Sequence, residues 1–413
     1  MRRTTFFITG ILSVFLFTHL IFAQTLEVKP NRSAIVKEAP TATAEHFDER
    51  LPAGTIVEKI GEVPRYYSIR LSDGRIGWSY KGNFKVVDNQ SNPPTGDITK
   101  ESLLARTDVL KILIIDVEVG DATLIICPAE DGQRDILLID TGENDSDRIL
   151  NALRGNGVSL SGKPINRFYI THYDHDHMGD AIELIPFSKV IYDHGNNNIK
   201  GSYKKEVDKA GVNRQIMALQ YQETFSGGVS VECVAVNQAT DFDQNLQPSS
   251  RGDNPNSIAL IISYDNFDYF TAGDLTFKPE KSLAKQIRNC DAYHVNHHGS
   301  RATSSHIDFV KKLDPEVSVA SNGTRFGHPT ADVAKRLIDL GSKFFQTNFN
   351  PDSRANKPNK KFVADDTYNE DSELEDLEGA IGTITIVVDA KADKYYVIMP
   401  GLQLNEGTFN IEI

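Results

Sequence analysis

The stretch RFYITHYDHDHMGD (167–180) constrains the fold more tightly than any other part of the chain. It opens on RFYIT, a β-branched and aromatic run that reads as a strand. Without a break it runs into three imidazoles and two carboxylates, His172, Asp174, His175, Asp176 and His177. Crowding carboxylates and titrating imidazoles is unfavourable unless something positive binds them, and a divalent metal meets that requirement. Beyond a strand ending at Ile170, a tight loop can converge its side chains on one point. His172, Asp174, Asp176 and His177 then form an H-x-D-x-D-H set of good Zn²⁺ or Mn²⁺ ligands. Four ligands this close in sequence serve two ions better than one, and His175 falls between the ligand positions.

The same device recurs downstream. FTAGD puts Asp274 at a strand end, HVNHHGS puts His297 and His298 after another, and SNGTRFGHPT puts His328 just before a helix. In layered α/β folds the edge where strands end is where ligands bind. Each histidine alone is more often structural; their joint placement is what counts. The surrounding pattern is also layered α/β. KILIIDVEVGDATLIICP and RDILLIDTG (134–142) supply three strands, and Asp145 to Leu153 is helix-like. KVIYD, VSVECVAV, SIALIISY and FDYFTAGD alternate with amphipathic segments. KPEKSLAKQI and HPTADVAKRLIDLG read as helices, the second with Thr330 as cap and Gly341 as stop. GTITIVVDA and KYYVIMP close the domain. Residues 350–378 read as a polar, acidic insertion.

Residues of 106–413 resemble the metallo-β-lactamase superfamily, with particular likeness to the hydrolase domain of ComEC-type DNA-uptake proteins. The matching stretches are IIDVEVGDATLI, ILLIDTG, THYDHDHMGD, NSIALII with FTAGD, HVNHHGS and FGHPTADVAKRL. The resemblance implies an αββα sandwich, two facing sheets with helices outside and two divalent metals at one edge. It implies that Asp140 holds the loop without ligating, that His172 and Asp174 serve one ion, and that Asp176 and His177 serve the other. Asp274 would bridge, His328 would be the last ligand, and His297 and His298 would stand by the substrate as catalytic groups together with Asp176. Asp174 stands where most of the superfamily has histidine. The middle histidine is absent, and DNPNS (253–257) occupies its place, so Asp253, Asn254 or water must substitute. His194 is a spare position. Oxygen-rich ligation makes Mn²⁺ an alternative to Zn²⁺. Tyr173 and Ser300 are read as pocket walls.

Residues 26–87 resemble a small all-β bacterial SH3-like barrel, carried by PAGTIVEKIGE, YYSIRLSDGRIGWSY and FKVV, with SDG as a hairpin turn. The likeness implies a tether to cell-wall peptidoglycan, with Trp78 as a core residue. Residues 88–105 read as a linker. MRRTTFFITGILSVFLFTHLIFAQ, with Arg2 and Arg3 before an apolar run, reads as a signal peptide over 1–23, and hence a secreted or periplasmic protein; an uncleaved anchor is the alternative. Cys127, Cys233 and Cys290 each sit in apolar runs and read as buried thiols.

A paired metal site makes hydroxide available near neutral pH and neutralises charge on a phosphoryl or acyl oxygen. The leading expectation is therefore an exported metal-dependent hydrolase of phosphodiester bonds. The alternatives are a lactone or amide hydrolase, and a wall-binding protein whose metal is structural. A net charge of −13 argues against clinging to polyanions, so nucleic acid is left open as substrate. Much of the excess is local, eight acidic residues and no basic one in 365–378; RANKPNKK (354–361) reads as a solvated loop.

Overall fold

The computed structural model describes residues 24–29, 34–39, 46–52, 55–63, 65–71, 75–87, 98–195, 201–323, 326–348 and 382–411. The stretches expected as signal peptide, SDG turn, solvated RANKPNKK loop and acidic insertion lie outside them. The chain forms two compact units, Met1–Asp97 and Ile98–Ile413.

In the first unit, seven strands make one sheet in the order His46–Leu51, Ala34–Lys37, Ile76–Tyr80, Tyr66–Arg70, Ile56–Val63, Gln24–Val28, Phe84–Val87. Every pairing is antiparallel. Leu26, Val28, Ala34, Val36, Val57, Ile69 and Phe84 form its core. Trp78 does not join them. Side chains alternate across a strand, and on Ile76–Tyr80 the buried positions are Gly77 and Ser79. Trp78 is therefore on the opposite face, half-buried. A Cβ on Gly77 would lie 2.4 Å from Val36 Cγ1, so the core admits no side chain there.

The second unit begins inside the stretch expected as linker. Thr99 caps the helix Lys100–Ala105: its hydroxyl accepts from Ser102 N (3.1 Å) and Ser102 Oγ accepts from Thr99 N (3.0 Å). Leu103 anchors this short helix on the outer face of Val387, Tyr396 and Ile398.

Two sheets follow. One runs Asn213–Ile216, Ser188–Asp193, Ile165–Tyr169, Ile136–Ile139, Thr123–Ile126, Leu110–Ile114, Ile384–Asp389, Lys394–Ile398, Thr408–Asn410. The other runs Gln222–Thr224, Ser230–Val236, Ala259–Tyr264, Phe267–Thr271, Ala292–His294, Val317–Ala320, Lys343–Gln346. Their inner strands are buried on both faces, which is why those strands read as continuous apolar runs instead of alternating ones. Alternation survives in where each residue goes. Ile112, Ile114, Leu260 and Ile262 meet between the sheets. Leu113 and Ile115 pack under the helices of the first sheet, with Ile149 and Leu153 of Ser146–Gly155. Ala259 and Ile261 pack under those of the second, with Phe309 and Leu337. The layers are thus helix, sheet, sheet, helix, as in the αββα sandwich expected. The three cysteines are free and buried. Among the described residues no helix is long and apolar enough to cross a membrane.

A fragment starting at Ile98 is expected to fold with the same denaturant midpoint as the second unit in the full chain. In that fragment Thr99→Ala should cost about 1 kcal/mol, the usual worth of an N-cap hydroxyl, read from urea unfolding.

Candidate functional site

The polar residues collect where strands of both sheets end. Asp121 lies between Leu110–Ile114 and Thr123–Ile126, and Asp140 follows Ile136–Ile139. Thr171 to Asp174 follow Ile165–Tyr169, and the chain then turns into the one-turn helix His175–Met178, which takes over the second half of the expected loop. Asp274 follows Phe267–Thr271, and His297 and His298 follow Ala292–His294.

Asp140 ties the loop together. It is 1 % exposed. Its carboxylate accepts from Thr171 N (2.7 Å), Thr171 Oγ (2.6 Å) and His177 Nδ1 (2.9 Å). Because the Thr171 hydroxyl donates to Asp140, its lone pairs are left for His172 Nδ1 at 3.1 Å. Both imidazoles are thereby held by Nδ1 and present Nε2 inward. His297 and His298 are fixed in the same way, the first through Nδ1 and Thr303 Oγ1 (2.7 Å), the second through Nδ1 and the Ser321 carbonyl (3.2 Å). Holding one ring nitrogen to aim the other is how metal-binding imidazoles are oriented. Both neighbouring histidines have left-handed backbones (φ +52° each), and their rings stand at 72° to one another.

Asp274 is the centre. Its Oδ1 lies 3.1 Å from His177 Nε2 and 3.4 Å from His298 Nε2. Its Oδ2 lies 3.2 Å from His297 Nε2 and 4.0 Å from His172 Nε2. The two oxygens thus face two groups. One is completed by Asp176, whose Oδ2 is 3.6 Å from His298 Nε2, the other by Asp174, whose Oδ2 is 3.7 Å from His172 Nε2. Among the described residues three sets of ligand atoms fall within 4.8 Å of one another: His172, His177 and Asp274; Asp176, His177 and His298; Asp121, Asp274 and His298. Around a tetrahedral ion with bonds of about 2.1 Å, ligands sit roughly 3.4 Å apart, so this spacing suits divalent cations. The buried Nε2 atoms of His172, His177 and His298 and Oδ1 of Asp274 have no hydrogen-bond partner among the described residues. Buried polar atoms left so are costly, and cations held among these ligand sets would satisfy them.

The charges agree. Burial, with His177 beside it, pushes His172 down to about 3, so its imidazole is neutral. Burial works against the charged forms of Asp274, His177 and His298, yet their mutual attraction outweighs it. Asp274 is held well below the carboxylate range and the two histidines well above theirs.

The remaining expected residues fall into place around this centre. His328 lies beside it, its ring 6.2 Å from that of His297, and lines a pocket with Asp176 and His298. None of the three ligand sets includes it. His175 is exposed and faces Glu143 at 3.5 Å. Asp253 is engaged elsewhere: Oδ2 accepts from Tyr173 N (2.7 Å) and faces His194 Nε2 (3.0 Å), and Oδ1 accepts from Asn256 (3.2 Å). Asn254 instead reaches the centre, its amide 2.6 Å from Asp274 Oδ2. Tyr173 is no pocket wall; it is buried, lies 4.2 Å from the His194 ring centre to centre and donates to Asp193 (2.8 Å). Ser300 is buried in the turn after His298.

Sequence reasoning gave Asp121 no role. Its Oδ1 is 3.2 Å from His298 Nδ1 and 3.6 Å from His294 Nε2. The available signal was the preceding glycine. Gly120 has φ +108°, and a Cβ there would stand 1.7 Å from the Asp176 carbonyl oxygen, so the chain passes too close to the ligand loop for any side chain. Glu280 was missed as well. Fully buried, it accepts from Asn296 Nδ2 (2.8 Å), Ser305 N (2.8 Å) and His306 N (2.7 Å), pinning the two ends of the loop that carries His297 and His298.

No family model matches the chain. It is 24% identical over 265 residues to ComE operon protein 3 of Bacillus subtilis (strain 168), a match covering 57% of this chain and 32% of that protein. The likeness therefore spans about a third of the relative's length. Among solved structures it is similar to Zn²⁺-bound PqqB from Methylobacterium extorquens, at TM-score 0.34 and 15% identity over 56% of this chain and 88% of that one. It is similar also to a long form RNase Z from yeast, at TM-score 0.37 and 13% identity over 63% and 43%. These superpositions are partial, and the layer order and motif positions above carry the fold assignment.

Asp140→Ala should leave three buried donors unmatched and cost about 2–4 kcal/mol, read from urea unfolding of chelator-treated protein. Burial raises the Glu280 carboxyl to about 7, against the hydrogen bonds from His306, Asn296 and Ser305. A carboxyl raised on folding stabilises most below its unfolded pKa, and that contribution is lost as pH rises through the folded value. Relative to Glu280→Gln, the wild type should therefore lose stability between about pH 4.5 and 7, measured by urea midpoints across that range.

Proposed function

We propose that residues 98–413, with their metallo-β-lactamase fold and their likeness to a ComE operon protein, form a metal-dependent hydrolase that cleaves phosphodiester bonds. The observation that carries this reading is Asp274, whose two carboxylate oxygens are each approached by different imidazoles, His177 and His298 at Oδ1 and His172 and His297 at Oδ2. A carboxylate so placed fits two divalent cations side by side, with Zn²⁺ favoured by the imidazoles and Mn²⁺ by the oxygens. When bound, such a pair would lower the pKa of a water toward neutrality and offset charge on the oxygens of an in-line displacement. That symmetric demand is what makes phosphoryl transfer the favoured chemistry over lactone opening.

The chain's own residues divide the remaining work. His172, Asp174, Asp176, His177, Asp274 and His298 hold the cations, and Asp140, Thr171 and Ser321 keep the rings aimed. In this reading His298 is a ligand and His328, on the pocket wall, touches substrate. The two exchange the duties that the family resemblance implies, because His298 Nε2 sits between Asp176 and Asp274. His297 Nε2 stands beside Asp274 Oδ2 and the Asn254 amide. The apolar start after Arg2 and Arg3 supports export, and the N-terminal unit supports tethering to the wall.

Elemental analysis of the dialysed protein should find about two divalent ions per chain. Absence of any bound metal, with no rescue of turnover by Zn²⁺ or Mn²⁺, sinks the reading. His298→Ala should lower metal content and turnover together. His328→Ala should keep its metal while turnover of a phosphodiester falls by ~10²–10⁴-fold if its imidazole supplies a proton. Metal loss in the second variant and retention in the first would reverse the assignment.

A further inference from the structure

The geometry points to Phe326 as a specificity-determining residue, a stacking platform for a planar aromatic ring carried by the substrate next to the scissile bond. This rests on the reading of the neighbouring centre as a phosphodiester hydrolase and adds what flanks the phosphorus. Phe326 is 64% exposed, more than any other large apolar side chain among the described residues. It lines the same pocket as Gly120, Asp176, His298, Gly323 and His328, so its exposed ring is part of the site's mouth.

Three features set it apart from a stray surface aromatic. First, its backbone is left-handed (φ +65°), a conformation that a bulky residue adopts only at a cost and that tends to persist at functional sites. Glycine or asparagine would take that turn more cheaply, and either would expose less apolar surface. Second, the ring stacks on His328, centre to centre 6.5 Å at 28°, and His328 in turn stands 6.2 Å from His297. The two rings form a shelf leading from solvent to the ligand cluster. Third, two of the residues lining the pocket with Phe326 are Gly120 and Gly323, where neighbouring backbone leaves no room for a side chain. A Cβ on Gly120 would lie 1.7 Å from the Asp176 carbonyl oxygen, and one on Gly323 1.7 Å from that of Glu118. Aromatic faces bind flat rings largely irrespective of substituents, so the chemistry recognised is the planar ring, from a nucleobase or another aryl group.

The test uses the full chain loaded with Zn²⁺ or Mn²⁺ and measures equilibrium binding of adenosine 5′-monophosphate, p-nitrophenyl phosphate and ribose 5-phosphate. The wild type should bind the ring-bearing ligands more tightly than ribose 5-phosphate. Phe326→Ala should weaken the ring-bearing ligands by about ten- to a hundredfold and leave ribose 5-phosphate unchanged. Phe326→Tyr should retain the preference, and Phe326→Leu, apolar but not planar, should lose it. A gain confined to adenosine 5′-monophosphate identifies the ring as a nucleobase; a gain shared with p-nitrophenyl phosphate identifies any aryl group. The inference is overturned if wild type shows no ring preference, if neither ring-bearing ligand binds, or if Phe326→Ala weakens all three alike. Metal content and thermal midpoint of each variant exclude a folding defect. Failure of the hydrolase reading looks different: the ring preference persists while no phosphodiester is turned over.

Discussion

Everything at the ligand edge is arranged around one buried carboxylate. Asp274 sits between four imidazoles, each of which would repel the others if charged, and its two oxygens are the shared point of attachment. In low dielectric a buried charge is among the costliest features a core can hold unless it is paired. The protein meets that cost partly with imidazole protons and leaves four buried ligand atoms unmatched. The arrangement is stable as a receptacle for positive charge and unfavourable as anything else. The hydrolase reading follows from this constraint more than from any single residue.

The sandwich exists to hold that carboxylate still. The sheet ending in Asp140 and the His172 loop brings one set of ligands, and the sheet ending in Asp274 and the His297–His298 turn brings the other. The apolar residues between the sheets, Ile112 and Ile114 against Leu260 and Ile262, fix the distance at which the two sets meet. Outside the ligands, Asp140 and Glu280 perform the same task on opposite sides, each a buried carboxylate gathering three donors from the loop it supports. Neither faces the pocket, and both act on chemistry by removing freedom from residues that do.

Particular residues show how far the chain could be read without coordinates. The H-x-D-x-D-H loop, Asp274 and the HHG turn were legible because each is a local break from an apolar strand into ligand types, and strand ends share one edge in a layered fold. Thr330 and Gly341 bounded their helix as expected, since starts and stops are local backbone requirements, although the Thr330 hydroxyl donates to the Gly299 carbonyl instead of capping. Trp78 was misread because burial depends on which face of a strand turns inward, and Gly77 opposite Val36 reversed the expected face. Tyr173 was misread because the ring turned away from the pocket toward Asp193. Asp121 and Glu280 were passed over because their partners lie far along the chain, and a single carboxylate in an apolar context carries no pattern of its own.

By itself, then, the order of residues determined the layered architecture, the place of the ligand edge and the kinds of atom gathered there. Strand periodicity, caps and ligand type are properties of a residue and its near neighbours. Tertiary structure decided which atoms face one another: that Asp274 divides its oxygens between two groups, that His298 Nε2 lies among the carboxylates while His328 stands on the pocket wall beside Phe326, and that Asn254 reaches the centre in place of Asp253. Those outcomes turn on ring nitrogens held by distant partners and on left-handed turns at His297, His298 and Phe326. A side chain's direction at such a turn is set by the backbone packed around it, which no short stretch of sequence contains.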